Sequence, residues 1–380
     1  MFGFTKLITF FAAAAAAQQC VQQASIEIGK ETPLSLTFNG DAPFSHTIKQ
    51  VGATYTAVHF DALNIPAGAT LTISSLDGKE SVKYVGGESR TNVFAEWISG
   101  SEAVLSYEAA AYTKQATPVF AIDKVTFGKP PSPLEAICGK DDSKPTKCYT
   151  ADAAKQKSAL SVARLLIGGK SLCTGWLIGS EGHLMTNNHC IKTADDAKNV
   201  QVEFGAVCAT CDDPNNTKQL GCKGEIVATD AVHLISNPEN DFALIKLNVK
   251  DGVDIKKYGY LQVRPDGPKL KEEIHIIGNP RGYPQYAAIV VDDGKPGVVT
   301  DLSIESCVPD EFGYELDTQG GNSGSPVFST KENVVVGLHN CGGCPDGPNG
   351  GLKINKIVDI LKAKNLVPQD AIVGDKPACY

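Results

Sequence analysis

Short runs of alternating apolar and polar residues, cut by turn residues, fill most of the chain. Helical periodicity is confined to one place near its end. That pattern leaves little room for anything but sheets packed on sheets. Ser35–Phe38, Tyr55–Phe60, Thr70–Ile73 and Ala103–Tyr107 read as strands, separated by Asn39-Gly40, Pro66-Ala67-Gly68 and Asp77-Gly78-Lys79. Residues 20–128 are therefore expected to form a small β-sandwich, acting as a pro-segment or a binding module. The sandwich contains no nucleophile-like cluster. Its His46 and His59 are isolated and read as packed or surface histidines.

Residues 129–157 read as a linker, opened by Gly128-Lys129-Pro130-Pro131-Ser132-Pro133. Cys138 and Cys148 bracket a charged stretch there and are expected to close a small disulfide loop. From 158 to 367 the strands return and are more apolar. They include Val162–Ile167, Gly175–Ile178, Val200–Phe204, Phe242–Leu247, Ile274–Ile277 and Val334–Leu338. Ile354, Ile357, Val358 and Leu361 carry the i, i+3, i+4, i+7 spacing of a single closing helix. A two-barrel β domain with a C-terminal helix fits this order, followed by a tail over 368–380.

The first 17 residues have one positive charge, an apolar run over Leu7–Ala17 and an Ala15-x-Ala17 ending. That is the form of a secretory signal peptide, and the run is too short to span a bilayer. The chain carries 12 cysteines, an even number that in an exported protein suggests disulfides. Cys208-x-x-Cys211 and Cys341-x-x-Cys344 are also the spacing of a zinc quartet. Disulfides within 208–222 and from Cys307 to Cys341 or Cys344 are the preferred reading, with Cys20 and Cys379 tying the ends. Asn215-Asn216-Thr217 is a glycosylation sequon. The net charge of -8, without basic runs, excludes nucleic acid and anionic membranes as expected partners.

Three segments carry chemistry only in combination. They are Thr186-Asn187-Asn188-His189-Cys190, Asn240-Asp241-Phe242-Ala243-Leu244-Ile245-Lys246-Leu247, and Gly320-Gly321-Asn322-Ser323-Gly324-Ser325-Pro326. Acyl transfer by serine needs a base for the hydroxyl proton and a third group to orient that base. His189, Asp241 and Ser323 supply the three types. The glycines let the backbone turn so that the amides of Gly321 and Ser323 converge as an oxyanion hole.

These segments resemble T-A-A-H-C, D-I-A-L-L-K-L and G-D-S-G-G-P of the chymotrypsin family, in the same order. The resemblance covers about 158–367. For that region it implies a chymotrypsin-like double β-barrel, which with the sandwich read from the pattern makes an all-β chain, an N-terminal β-sandwich followed by the double barrel with its C-terminal helix. It further implies a secreted, extracellular serine endopeptidase acting on protein or peptide substrates without a cofactor or metal. It also implies a Cys173–Cys190 disulfide. Asn322 stands where the family has the Asp that pairs with a new N-terminus, so activation by that ion pair is not expected. Arg164-Leu165-Leu166-Ile167-Gly168-Gly169 looks like an activation site, but Cys173 follows too soon, and Val162–Ile167 is read as a strand.

The run Thr318–Phe328 with Val336-Gly337-Leu338-His339 is closer to the bacterial glutamyl endopeptidases. Ala57–Phe60 through Pro66–Ile73 is similar to the region ahead of the protease in lysyl-endopeptidase-like proteins. Specificity signals conflict. Asp317, six residues before Ser323, matches the acidic base of a Lys/Arg-selecting S1 pocket. Thr318 and His339 match residues that hold a substrate carboxylate. A basic residue before the scissile bond is slightly preferred, because a buried unpaired Asp wants a cation. The alternatives are a catalytically silent binding or adhesion protein on a protease fold, and a glycan or cell-surface ligand for the sandwich.

Overall fold

The computed structural model describes residues 25–129 and 135–374. The expected signal peptide and the Cys20–Cys379 tie lie outside them. Gly29–Phe38, Phe120–Gly128, Tyr55–Asn64 and Ser89–Phe94 form one sheet in that order, with Ile98–Ser99 added on Tyr55–Asn64. Phe44–Lys49, Glu102–Ala109, Ala69–Ser75 and Ser81–Val85 form a second. All pairs are antiparallel. The alternation seen in the sequence points Leu71, Ile73, Leu105 and Tyr107 inward against Phe60, Leu63 and Phe120, the core of a β-sandwich. His59 is a packed histidine: Nδ1 lies 2.5 Å from Asp123, and the ring meets Phe94 edge-on.

Two curled eight-stranded antiparallel sheets follow, the halves of a double β-barrel. The first runs Glu225–Ala228, Val200–Phe204, Val162–Ile167, Ser171–Ile178, His183–Thr186, Phe242–Leu247, Ala231–Asn237, and receives Ile26–Glu27 from the sandwich. The second runs Lys144–Pro145, Tyr286–Ala288, Ile274–Gly278, Pro326–Ser329, Val334–Cys341, Asn349–Lys353, Glu311–Tyr314, Val299–Ile304. The helix Ile354–Ala363 turns Ile354, Ile357, Val358 and Leu361 onto the core, the stripe its spacing announces. Two further helices, Ala153–Leu160 and Ala194–Lys198, were not legible as periodic patterns. Both are short and begin on side-chain caps, Asp152 and Thr193.

Residues 135–157 are more ordered than a linker. Glu135–Ala136 pairs with Thr318–Gln319, and Lys144–Pro145 pairs with Tyr286–Ala287. The cysteines correct the small-loop expectation: Cys138 bonds Cys344 and Cys148 bonds Cys211. Cys173–Cys190, Cys208–Cys222 and Cys307–Cys341 complete the five disulfides among the described residues. The four sulfurs of the would-be zinc quartet therefore belong to four different disulfides.

Val162–Ile167 is a fully buried central strand. Arg164 lies 1% exposed within it and holds Glu203 through Nε and Nη2, at 2.8 to 3.0 Å. Its Nη1 also donates to Gly221 O and Gly282 O. A strand held in this way from both sides cannot serve as a cleavable activation segment. Removing one partner leaves the other charge buried and unpaired, which costs about 3–5 kcal/mol. Arg164→Met is expected to lower the unfolding free energy by that order, whereas Arg164→Met with Glu203→Leu should recover most of the loss; denaturant melts of the two variants read this.

Candidate active site

The strand His183–Thr186 delivers Asn187, Asn188 and His189 to the junction of the barrels. The Cys173–Cys190 disulfide pins that turn to the neighbouring strand Ser171–Ile178. Asp241 sits one residue before Phe242–Leu247 with φ +39°, an unfavourable backbone for a non-glycine residue. Three hydrogen bonds hold it there. Its Oδ2 lies 2.6 Å from His189 Nδ1, its Oδ1 accepts the His189 backbone N–H at 2.7 Å, and its carbonyl accepts Asn187 Nδ2 at 2.8 Å. The carboxylate thus fixes both the ring and the backbone of His189. The opposite ring nitrogen, Nε2, is buried and takes part in no hydrogen bond among the described residues.

Ser323 approaches from the second barrel on the turn before Pro326–Ser329. Its carbonyl accepts the Thr174 N–H at 2.9 Å, which hangs the turn on the first barrel. Gly321 has φ +101°, and Cβ there would stand 2.8 Å from Asn279 O, so only glycine fits. Thr174 Oγ1 donates to Gly321 O at 2.8 Å. Among the described residues, the N–H groups of Gly321 and Ser323 donate to no backbone carbonyl, leaving two donors beside the serine. His189, Asp241 and Ser323 are 8%, 5% and 4% exposed, so their interactions act in a largely water-excluded setting.

The specificity candidates lie where the sequence puts them, but their partners differ from expectation. Asp317 is buried and not unpaired. Its Oδ1 accepts the Cys138 N–H at 2.9 Å and its Oδ2 the Asp142 N–H at 2.7 Å. Burial nevertheless pushes its carboxyl up to about 6, the two amide donors opposing that rise. The argument that Asp317 awaits a cation is corrected by these contacts: it clamps the loop that follows Glu135–Ala136. Gln319 Nε2 adds a bond to Asp141 Oδ2 at 2.8 Å, and Asn349 Nδ2 reaches Ala136 O at 3.0 Å. The sequence carried no signal for this loop contact, since its halves are more than 170 residues apart.

His339 is also buried. Its backbone carbonyl accepts Gly324 N–H at 3.0 Å and its N–H donates to Ser325 O at 2.8 Å, placing it against the serine turn. Its Nδ1 lies 2.6 Å from Tyr314 Oη, and burial, with the nearby His189, lowers its pKa to about 3. It is therefore a neutral ring at physiological pH. Thr318 Oγ1 is buried and has no hydrogen-bond partner among the described residues. Behind this layer, Glu311 is buried against Asn340, whose Nδ2 donates to Oε1 at 2.6 Å. Burial raises its carboxyl to about 7.

The comparisons place these observations in a lineage. Residues 173–338 match the trypsin-like peptidase domain. The secreted RxLR effector protein 73 of Plasmopara viticola is 35% identical over 345 residues, covering 86% of this chain and 84% of that protein. The glutamyl endopeptidase of Staphylococcus aureus strain MRSA252 is 28% identical over 211 residues, and the match spans 53% of its length and 55% of this chain. The inactive form of Rv3671c from Mycobacterium tuberculosis overlays with TM-score 0.40 at 17% identity, over 58% of this chain and 93% of its own.

Glu311 and Asp317 share a consequence for stability. Both folded pKa values lie above the ordinary carboxylate range, so folding favours the protonated forms. The stability this confers is full at pH values below about 4 and is lost as pH rises through about 6 and 7. Glu311→Gln should keep the Asn340 contact and flatten that fall. A melting temperature raised by on the order of 5 °C at pH 8, with little change at pH 4.5, is the expected calorimetric result.

Proposed function

Because the chain belongs to the trypsin-like peptidase family, we propose that it is a secreted serine endopeptidase with His189 as base, Asp241 as its orienting carboxylate and Ser323 as nucleophile. The observation that carries this reading is the doubly bonded Asp241–His189 pair, which leaves His189 Nε2 free beside the serine turn. In the reaction, Nε2 takes the Ser323 hydroxyl proton as Oγ bonds to the scissile carbonyl carbon. The negative charge moves to the carbonyl oxygen, where the Gly321 and Ser323 amides receive it. Collapse breaks the C–N bond, and the imidazolium returns its proton to the departing amine. Water, deprotonated by the same nitrogen, then releases the acyl group and Ser323. Asp241 stabilises the imidazolium without itself being protonated.

The acidic-residue reading of specificity is the better supported one. Asp317 is committed to Cys138 and Asp142, whereas Thr318 Oγ1 is an unused hydroxyl and His339 a neutral ring backed by Tyr314. Tyr314 Oη gives its single proton to Gly350 O at 3.0 Å, so Nδ1–H of His339 points to Oη and Nε2 is an acceptor that takes up a proton to hold a substrate carboxylate. The name glutamyl endopeptidase, borne by the staphylococcal relatives, agrees with this assignment. Five disulfides suit an oxidising compartment, and Asn215 is exposed and open to glycosylation there. We assign no glycan or cell-surface ligand to the sandwich.

A second reading has its own support. The relative with the broader match is named an effector, so a protease fold that acts by binding is the competing function. Digestion of a mixed peptide pool, with every cut sequenced, separates them. The intact protein is expected to cut after Glu or Asp. Ser323→Ala should lose on the order of 10⁶-fold in kcat and Asp241→Asn about 10⁴-fold. Cuts after Lys or Arg would return the selecting role to Asp317, and an uncut pool would favour the binding protein.

A further inference from the structure

The strand Ser171–Ile178 has one edge on Val162–Ile167, and its second edge pairs with His183–Thr186 over Trp176–Ile178 and faces the cleft over Ser171–Thr174. Leu172 and Thr174 point their backbone groups to that second edge, as residues two apart must. At Thr174 the edge is taken by Ser323, whose carbonyl accepts the Thr174 N–H. At Leu172 it is taken by the first strand of the sandwich: Ile26 faces Leu172 and Glu27 faces Ser171, antiparallel, and Ile28 N–H donates to Lys170 O at 2.8 Å. Followed backwards from Ile28 to Ile26, the chain therefore advances toward the nucleophile. Ser25 is the next step, level with Cys173, and one residue of strand covers about 3.4 Å.

Ile26 touches both walls of the cleft. It belongs to an apolar cluster with Ile28, Tyr55, Trp97, Leu166 and Leu172, and is itself 3% exposed. On the other side it lies against Gly320, where a Cβ would stand 3.3 Å from Ile26 Cδ1. Gly320 opens the turn that carries the two free amides. An extended segment thus sits hydrogen-bonded along the active-site edge, with its N-terminal direction aimed at Ser323. A substrate bound with its leaving-group half on this edge would run in the same direction.

We propose that Ile26–Glu27 is a built-in strand that competes with the leaving-group half of an extended peptide substrate for this edge. The proposal rests on the proteolytic reading of the site. Backbone pairing supplies the affinity of such strand addition, and the pocket between Leu172 and Gly320 supplies selectivity for an aliphatic side chain like that of Ile26.

The test compares the full chain with Ile26→Asp on two substrates sharing one acyl half. The first continues for three residues past the scissile bond, and the second is an anilide that ends there. A tethered strand acts like on the order of millimolar free competitor, so the variant should gain about tenfold or more in kcat/KM on the peptide and less than about twofold on the anilide. In a Ser323→Ala background the same peptide should bind Ile26→Asp about tenfold more tightly than the unsubstituted chain. Equal gains on both substrates, or unchanged peptide binding, overturn the proposal. Tighter peptide binding without hydrolysis of either substrate by any form would uphold the strand and defeat the proteolytic reading. Ile26→Ala, which buries no charge, should move both readouts the same way by a smaller factor and replaces the Asp variant if that fails to fold.

Discussion

Thr174 is the residue on which the site depends. Its N–H and its hydroxyl reach across the barrel junction to Ser323 O and Gly321 O, while its carbonyl accepts Thr186 Oγ1 and its Oγ1 accepts Asn279 N–H. The side chain and backbone of one residue therefore tie the serine turn of the second barrel to the histidine strand of the first. Cys173, next to it, is bonded to Cys190, next to His189. The relative placement of His189 and Ser323, the proposed base and nucleophile, is thus a local matter of two adjacent residues. Two large sheets do not have to be positioned independently to within an ångström. Precision of that order is what acyl transfer demands of its reacting groups.

Strain and burial are concentrated around this junction. Asp241 holds a left-handed backbone, and Gly321 and Gly324 have positive φ where a Cβ would strike neighbouring atoms. Such conformations cost about 1–3 kcal/mol each for a non-glycine residue and persist only where the surroundings determine them. Here the surroundings are hydrogen bonds to Asn187, His189 and Thr174, formed inside low-exposure sheets that leave those groups no alternative partners. Glu311 and Asp317 extend the theme, since each keeps a carboxyl in a buried layer behind the specificity residues at a cost that grows with pH.

Much of this was legible before any coordinates. Strand spans such as Val162–Ile167, Val200–Phe204 and Phe242–Leu247 coincide with apolar runs because buried central strands need no polar face. The closing helix announced itself through a four-residue stripe. What escaped were features set by long-range contact. Ala153–Leu160 is too short to show a period, and Glu135–Ala136 is a strand only because Thr318–Gln319 offers it an edge. The Cys138–Cys344 pairing, 206 residues apart, has no local signature, so proximity in sequence to Cys148 misled. The same loop supplies partners of Asp317 that were not legible in the sequence. Its residue type suggested a cation, but the donors that satisfy it are backbone amides, which no residue-type pattern encodes.

These long-range contacts share a direction. Ile26–Glu27 from the sandwich, and Glu135–Ala136 with the Cys138–Asp142 loop from the intervening segment, both converge on Thr318–Ser323 or the strand facing it. Segments that precede the protease sheets in the chain thereby become walls of its cleft. A substrate would meet a surface assembled from three parts of the sequence, of which the trypsin-like region supplies one. Variation in the upstream parts can then retune access and selectivity while the Asp241–His189–Ser323 geometry, tied locally through Thr174, stays unchanged.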